Sequence, residues 1–433
     1  MVLKRGGLRH PSSILIGGFT GLNNVLPPEN TPDDKFKVAQ NVDITKAKEI
    51  LLRRGYVLQD TAAYHSMWSN NQRLFAVRNN ALVELNQDMS IKTTFTSGLD
   101  SNRLSYEDID GDIYFSSLTT NGVIDSNGLR NWGIQRVNPS PTLSVTTGGL
   151  PAGKYQVNYT YVATDGRESG CYAARTINLP TGGGIALTNI PTSGDSLVNR
   201  VRLYCSPKDG DILYYVRDIP NGTASASIQA VFALQMPLKM FNKYLPPKSP
   251  LIKYFSGRML LVDQNVLWYS EPFDYEHFDL QKNYLQFESP ITSIMPIDDG
   301  VWVSIDSGKT FWVSGRNVDA AVRHFKDPVT VVSGTEQLVT GAYVNIPGAP
   351  NGYKWLAMTN KGIYAFFSGG ICLNLTYKDV NFPTSTAEGA SIFMEKGGIN
   401  KYISLLKEPK DNLNVAATDL VTATVIRNGV AIP

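Results

Sequence analysis

Along most of the chain, apolar residues come in runs of four or five, separated by polar turns that hold Gly, Asn or Asp. Runs this short fall below the about ten residues that a helical period needs, so they predict strands paired in hairpins. The pattern recurs in "NNQRLFAVRNNALVEL" from Asn70, "DGDIYFSSLTTNGVID" from Asp110, "SGRMLLVDQNVLWYS" from Ser256, "DGVWVSIDSGKTFWVSG" from Asp299 and "NGYKWLAMTNKGIYAFFSGG" from Asn351. A fainter copy, "GGINKYISLLKE", begins at Gly397. With Gly257, Gly300, Gly352 and Gly398 as markers, the separations are 43, 52 and 46 residues, close to the ~40 to 50 residues of a four-stranded propeller blade. The expected fold is therefore all-β, a β-propeller of about six blades.

Between Asp125 and Gly257 the rhythm gives way to another. The change opens after "VNPSPT" and closes before "LPPKSP", Pro-rich punctuation of the kind found at domain edges. Inside it, "GLPAGKYQVNYTYVATDGRESG" places Tyr155, Val157, Tyr159 and Tyr161 on one face and then turns at Asp165 and Gly166. "NRVRLYCSPKDGDILYYVRDI" supplies two more strands. These features predict an inserted fibronectin- or immunoglobulin-like β-sandwich over residues 141–236, between propeller parts at 51–140 and 237–433. Residues 1–50 are Pro-punctuated and weakly periodic, which suits an extended N-terminal arm reaching a neighbouring subunit.

Composition agrees with many short strands: 42% of the 433 residues are hydrophobic and only 18% charged, with 37 Gly and 24 Pro. Lys plus Arg number 40 against 38 Asp plus Glu, so no global basic field exists to drive non-specific nucleic-acid binding, and any DNA contact is local. Cys171, Cys205 and Cys372 are odd in number and lack metal-type spacing, which predicts buried free thiols. The N-terminal stretch is basic, but its only apolar run is "ILI", too short for a secretory signal. No stretch approaches the ~20 apolar residues of a membrane-spanning helix. The expectation is a soluble protein made in the cytoplasm and not exported by the usual route.

Candidate chemistry is sparse. "SIDSGKTFW", residues 304–312, resembles the Asp-box, a device that in sialidase-like propellers sits at a turn between blade strands. Ser304, Asp306, Gly308 and Thr310 are read as a structural turn: the short polar side chains bond backbone N–H groups, Gly308 takes positive φ, and Phe311 or Trp312 packs inward. A sialidase would also need an arginine cluster and a Tyr nucleophile with a Glu partner, and no local motif supplies them. "SEPFDYEHFDL" gathers Glu271, Asp274, Glu276, His277 and Asp279, the best place for acid–base chemistry or a metal, and is read as a solvated loop. "DIDGD", Asp108 to Asp112, lacks the ligand spacing of a calcium loop and is read as a hairpin turn. "TGGG", Thr181 to Gly184, is read as a flexible loop, and His10, His65, His277 and His324 fall in no zinc motif. No catalytic residue, cofactor or metal site is expected.

Residues 17–56, "GGFTGLNNVLPPENTPDDKFKVAQNVDITKAKEILLRRGY", carry a resemblance. Gly18 and Gly21 frame an aromatic, Asn23 or Asn24 and Pro27 follow, then Ala39 and Asn41 precede a strand and the "RRG" of Arg53 to Gly55. This order resembles the start of propeller-type bacteriophage tail proteins, the tail tubular protein B or nozzle family of short-tailed phages. "LWYSEPFDYEHFDL" from Leu267 and "GKYQVNYTYVATDGRES" with "RVRLYCS" are similar to stretches of such proteins. The resemblance implies a structural virion protein: a homo-oligomeric ring, a hexamer, below the portal and head–tail adaptor. Tail fibres or spikes would surround it, and double-stranded DNA would pass through its lumen without sequence-specific binding. The competing expectation is a carbohydrate-binding or sialidase-like propeller.

Overall fold

The computed structural model describes residues 18–39, 42–44, 47–52, 57–136, 141–230, 232–341, 344, 346, 349–376, 379–380, 388–396, 399–407, 424–427 and 430–432. His10, Asn41, the Arg53 to Gly55 triplet, the Gly398 marker and most of "VNPSPT" lie outside the described residues. Among the described residues the regular structure is strand, with three short 3₁₀ turns.

Six four-stranded antiparallel sheets have their strands in chain order, each beside the next. They occupy residues 64–96, 105–130, 252–286, 291–327, 337–374 and 389–432. Four-stranded meanders of this kind are propeller blades, so the protein is all-β and of the β-propeller class. Between the second and third blades lie the two sheets of a sandwich. One orders Arg175–Leu179, Gly153–Ala163, Val198–Cys205 and Tyr214–Pro220; the other orders Thr142–Leu150, Gly183–Thr188 and Ser225–Ile228. Four strands facing three is the immunoglobulin-like arrangement.

In the first five blades the repeating hairpins of the sequence are the two middle strands; the fainter copy from Gly397 supplies one middle strand of the sixth, Ile399–Leu406. Such strands are covered on both faces, so they read as apolar runs rather than alternations. All six residues of Gly300–Ile305 and of Lys354–Thr359 are buried, as are the five of Gly362–Phe366. Their turns use residues that tolerate positive φ: Asn79 and Asn80 at 47° and 63°, Asp110 and Gly111 at 55° and 93°. These are the conformations of a two-residue primed turn, whose twist matches the strands it joins. The Asp108 carboxylate closes the second of them by accepting from Gly111 N–H at 3.0 Å.

The chain divides into two compact units. Residues 60–291 and 317–320 hold the first three blades and the sandwich. The sandwich core is built on Tyr155, Val157, Tyr159, Tyr161, Leu203 and Cys205, all buried, so the alternating face read from the sequence does point inward. The "TGGG" segment is not a flexible loop. Gly183 and Gly184 open a strand, where a Cβ would meet the carbonyl oxygens of Thr146 and Thr147 at 2.8 and 2.7 Å.

Residues 1–59, 292–316 and 321–433 form the other unit, with the last three blades. Trp302, Trp312, Trp355 and Phe366 pack in its interior, with Trp302 donating to Phe367 O at 2.9 Å and Trp355 to Pro296 O at 2.6 Å. Here the extended-arm expectation for residues 1–50 is corrected over part of its length. Gly21–Leu22 pairs in parallel with Lys35–Phe36, and Leu22 is buried among Val332, Leu356 and Ile363 of the same unit. Asp379 accepts from Lys35 Nζ at 2.6 Å and from Asn23 Nδ2 at 3.1 Å. Residues 18–39 are a strap fastened in cis through Leu22, Phe36 and Ala39, while Val25, Leu26 and Val38 stay exposed.

Candidate functional site

The Asp-box-like stretch forms the hairpin between Gly300–Ile305 and Lys309–Ser314, with Ser304 opposite Thr310. Gly308 has φ of 85° with open space around it, as a turn glycine needs. The two hydroxyls are fully buried and work outward from the hairpin: Ser304 Oγ accepts from Val331 N–H at 2.8 Å and Thr310 Oγ1 donates to Val329 O at 2.7 Å. They bond each other at 3.1 Å. Asp306 is exposed at the tip. The expectation that all four residues fasten the turn itself is thereby corrected: Ser304 and Thr310 tie the hairpin to the next segment, 329–331, and Trp312 is the aromatic that packs inward.

The acidic stretch 270–280 is folded into a junction between the third blade and the sandwich, not a solvated loop. Glu276 lies between two arginines, Arg130 at 2.5 Å and Arg167 at 3.0 Å. Arg130 ends the second blade and is also held by Asp125 at 2.9 Å; Arg167 follows the sandwich turn and is held by Asp165 at 2.8 Å. Asp274 faces His277 Nδ1 at 2.8 Å, and the His277 Nε2 is buried with no hydrogen-bond partner among the described residues. Burial works to raise the Asp274 carboxyl, but the His277 contact, the Lys243 charge and the Glu276 N–H together outweigh it and hold the group below the usual carboxylate range. Burial instead pushes the neighbouring Asp112 carboxyl up.

Glu271 accepts from Lys243 at 2.7 Å and from Asn283 at 3.3 Å, while Asp279 caps the N–H of Gln281 at 3.0 Å. Lys243 belongs to the connection that leaves the sandwich. Tyr244, the next residue, exchanges two backbone hydrogen bonds with Phe278, each of 3.0 Å. On the sandwich side, Gly170 lets this connection pass, since a Cβ there would sit 2.0 Å from Lys243 O. Arg136 completes the junction, its guanidinium 4.1 Å from the ring of Tyr172 and 4.1 Å from that of Tyr244, stacks worth about 0.5–2 kcal/mol each.

Every carboxylate of the stretch is thus committed to a cation, a histidine or a backbone N–H. These contacts fix the geometry of the junction. Sequence reasoning missed Arg130, Arg136, Arg167 and Lys243. No local motif marks them, and Glu276 lies 146 and 109 residues from its two arginines. Of the thiols, Cys171 and Cys205 are buried as expected, whereas Cys372 is only half-buried. Among the described residues no group of three or more His, Cys, Asp and Glu side chains is arranged to hold a metal ion, and no helix is long and apolar enough to cross a membrane.

No protein-family model matches the chain, and no curated protein matches it. Among solved structures, the chain is similar to BBS1N in complex with ARL6DN, at 10% identity and TM-score 0.33 over 80% of this chain and 88% of that one. Hsv2 of Kluyveromyces lactis gives 7% identity and TM-score 0.31 over 80% and 90%. The WD40 domain of Neurospora crassa Pan2 gives 8% and 0.32 over 79% and 86%. At these TM-scores the superpositions carry no argument about what this chain does.

Proposed function

We propose that this protein is a structural component of a short-tailed phage virion, a subunit of the tail nozzle ring through which double-stranded DNA leaves. The observation that carries the reading is the order of features in residues 17–56, which resembles the start of that family. A mechanical role is consistent with the junction: charged side chains that elsewhere would mark chemistry are spent on fixing the sandwich to the second and third blades. The near balance of 40 cationic and 38 anionic residues also suits a channel, since a strongly basic lumen would retain DNA through counterion release. Subunits would meet through heterologous contacts, which close into a ring, here a hexamer, when the rotation per copy allows. The portal, the head–tail adaptor and fibres or spikes are the neighbours.

The test is cryo-EM of intact particles together with mass spectrometry of purified tails. A closed ring of this chain below the adaptor is expected. Absence from mature virions, or a single copy on their surface, overturns the assignment.

A further inference from the structure

In the strap, Asp379 holds two different nitrogens on one oxygen. Its Oδ1 accepts from Lys35 Nζ at 2.6 Å and from Asn23 Nδ2 at 3.1 Å, so a primary amine and a carboxamide are brought beside each other. Both are largely out of water, Asn23 at 3% exposed and the Lys35 side chain at 19%. Backbone contacts fix each of them: Lys35 stands opposite Gly21 in the parallel pair, and Asn23 N–H donates to Phe36 O at 2.7 Å. The Asn23 carbonyl is engaged as well, its Oδ1 accepting from Leu26 N–H at 2.9 Å.

An amine, a carboxylate and a polarised amide carbonyl are the parts of an amide exchange: nucleophile, base and electrophile. We propose that Lys35 and Asn23 join in an isopeptide bond, which the chain forms on itself once the strap has docked. Lys35 Nζ passes a proton to Asp379 and attacks Asn23 Cγ; the Nζ–Cγ bond forms and the Cγ–Nδ2 bond breaks. Of the three protons on Nζ, one stays on the new amide and two reach Nδ2 by way of Asp379, so the nitrogen leaves as ammonium and the carboxylate is regenerated. Nothing is oxidised or reduced, and no other reactant is needed. The Leu26 N–H sits at the oxygen on which negative charge develops. Because the base comes from residue 379, the bond forms only in the docked strap, where the held pair gains the rate advantage of an intramolecular reaction.

The junction supplies a comparison within the same chain. Glu271 Oε1 likewise accepts from Lys243 Nζ at 2.7 Å and from Asn283 Nδ2 at 3.3 Å. Among the described residues, however, no N–H is directed at Asn283 Oδ1. Removing one such donor typically costs ~10²–10³ in rate, so Lys243 and Asn283 stay unjoined while Asn23 and Lys35 react. The bond closes the segment that holds Pro27, Pro28 and Pro32 into a covalent ring.

The test is intact-mass spectrometry of the purified full-length chain, sampled over time after folding. One ammonia should be lost, and after denaturation and cleavage at Glu29, inside the ring, the two halves should remain joined through Asn23 and Lys35. Asp379→Asn, which keeps the shape but is no base, should slow the loss about a hundredfold. Lys35→Arg keeps a cation beside Asp379 and should abolish it. Amide exchange at residues 21–23 reports that the strap of each variant is docked. A docked strap that keeps its full mass overturns the proposal, as does an unchanged rate in Asp379→Asn, or a crosslink between Lys243 and Asn283 with Asn23 and Lys35 left free.

Discussion

Replacing Glu276 by Ala removes the anion between Arg130 and Arg167, and the structure allows the cost to be bracketed. The Glu276 side chain is 10% exposed and that of Arg130 9%, so both charges are largely out of water. Deleting one partner of a buried pair typically costs ~3–5 kcal/mol, because the survivor is left uncompensated. Here the survivors are not alone: Arg130 keeps Asp125 at 2.9 Å, and Arg167, 21% exposed, keeps Asp165 at 2.8 Å. That places Glu276→Ala at the lower end, about 3 kcal/mol. Glu276→Gln, which keeps the shape and one acceptor, should cost about 2 kcal/mol. Urea unfolding followed by tryptophan fluorescence gives the midpoint shift. Because a chain of two units need not unfold in one step, amide exchange at residues 164–168 and 275–278 should be measured as the local readout. In a double-mutant cycle, the Arg130/Glu276 coupling should exceed the Arg167/Glu276 coupling, following the difference in burial. A Glu276→Ala variant within about 0.5 kcal/mol of the parent, with unchanged exchange, would refute the reasoning.

Ser304→Ala strands Val331 N–H in the interior and should cost ~1–3 kcal/mol, whereas Asp306→Ala at the exposed tip should stay within about 0.5 kcal/mol; denaturation midpoints in the reverse order would contradict the hairpin's geometry. Lys354 is buried, with Val344 O and the Phe367 ring as its contacts, and burial lowers its amine from 10.5. Between the folded value and 10.5 the unfolded state binds more protons, so stability from this group rises with pH. The parent should therefore gain on Lys354→Met as pH is raised from about 8 to about 10, and a constant difference would show that the amine stays charged when buried. Burial pushes the thiols of Cys171 and Cys205 up to about 12 and that of Cys372 up to about 11. Alkylation followed by mass spectrometry should label Cys372 first and slowly, and Cys171 and Cys205 only on unfolding; rapid labelling of Cys171 in the folded protein would count against its burial.

What the sequence makes legible is the middle of each blade. In a strand such as Arg258–Asp263 five of the six residues are buried, so burial writes itself into a continuous apolar run. Edge strands leave a weaker trace. Tyr284–Gln286 and Gly128–Arg130 are three residues long and partly exposed, and nothing in their composition separates them from turns. The junction was illegible for another reason. "SEPFDYEHFDL" announces charge, but its partners come from strands, turns and a connection far away in the chain, so their meeting is a product of topology. In the strap, Pro27, Pro28 and Pro32 suggest extension, which is right locally, while the docking of Leu22 depends on a core made of residues beyond 330.

That last dependence has a temporal side. Asn23 and Asp379, which share a hydrogen bond, are 356 residues apart. At the usual ~5–20 residues per second of translation, the strap emerges roughly 20–70 s before the residue that receives it. Through that interval Leu22 and Phe36 have no native place to go and are candidates for chaperone capture or for mispairing with another nascent chain. Such long-range closure is intrinsically slow, so a pulse-labelled polysome experiment would find protease protection of the strap arriving last, although its residues are made first.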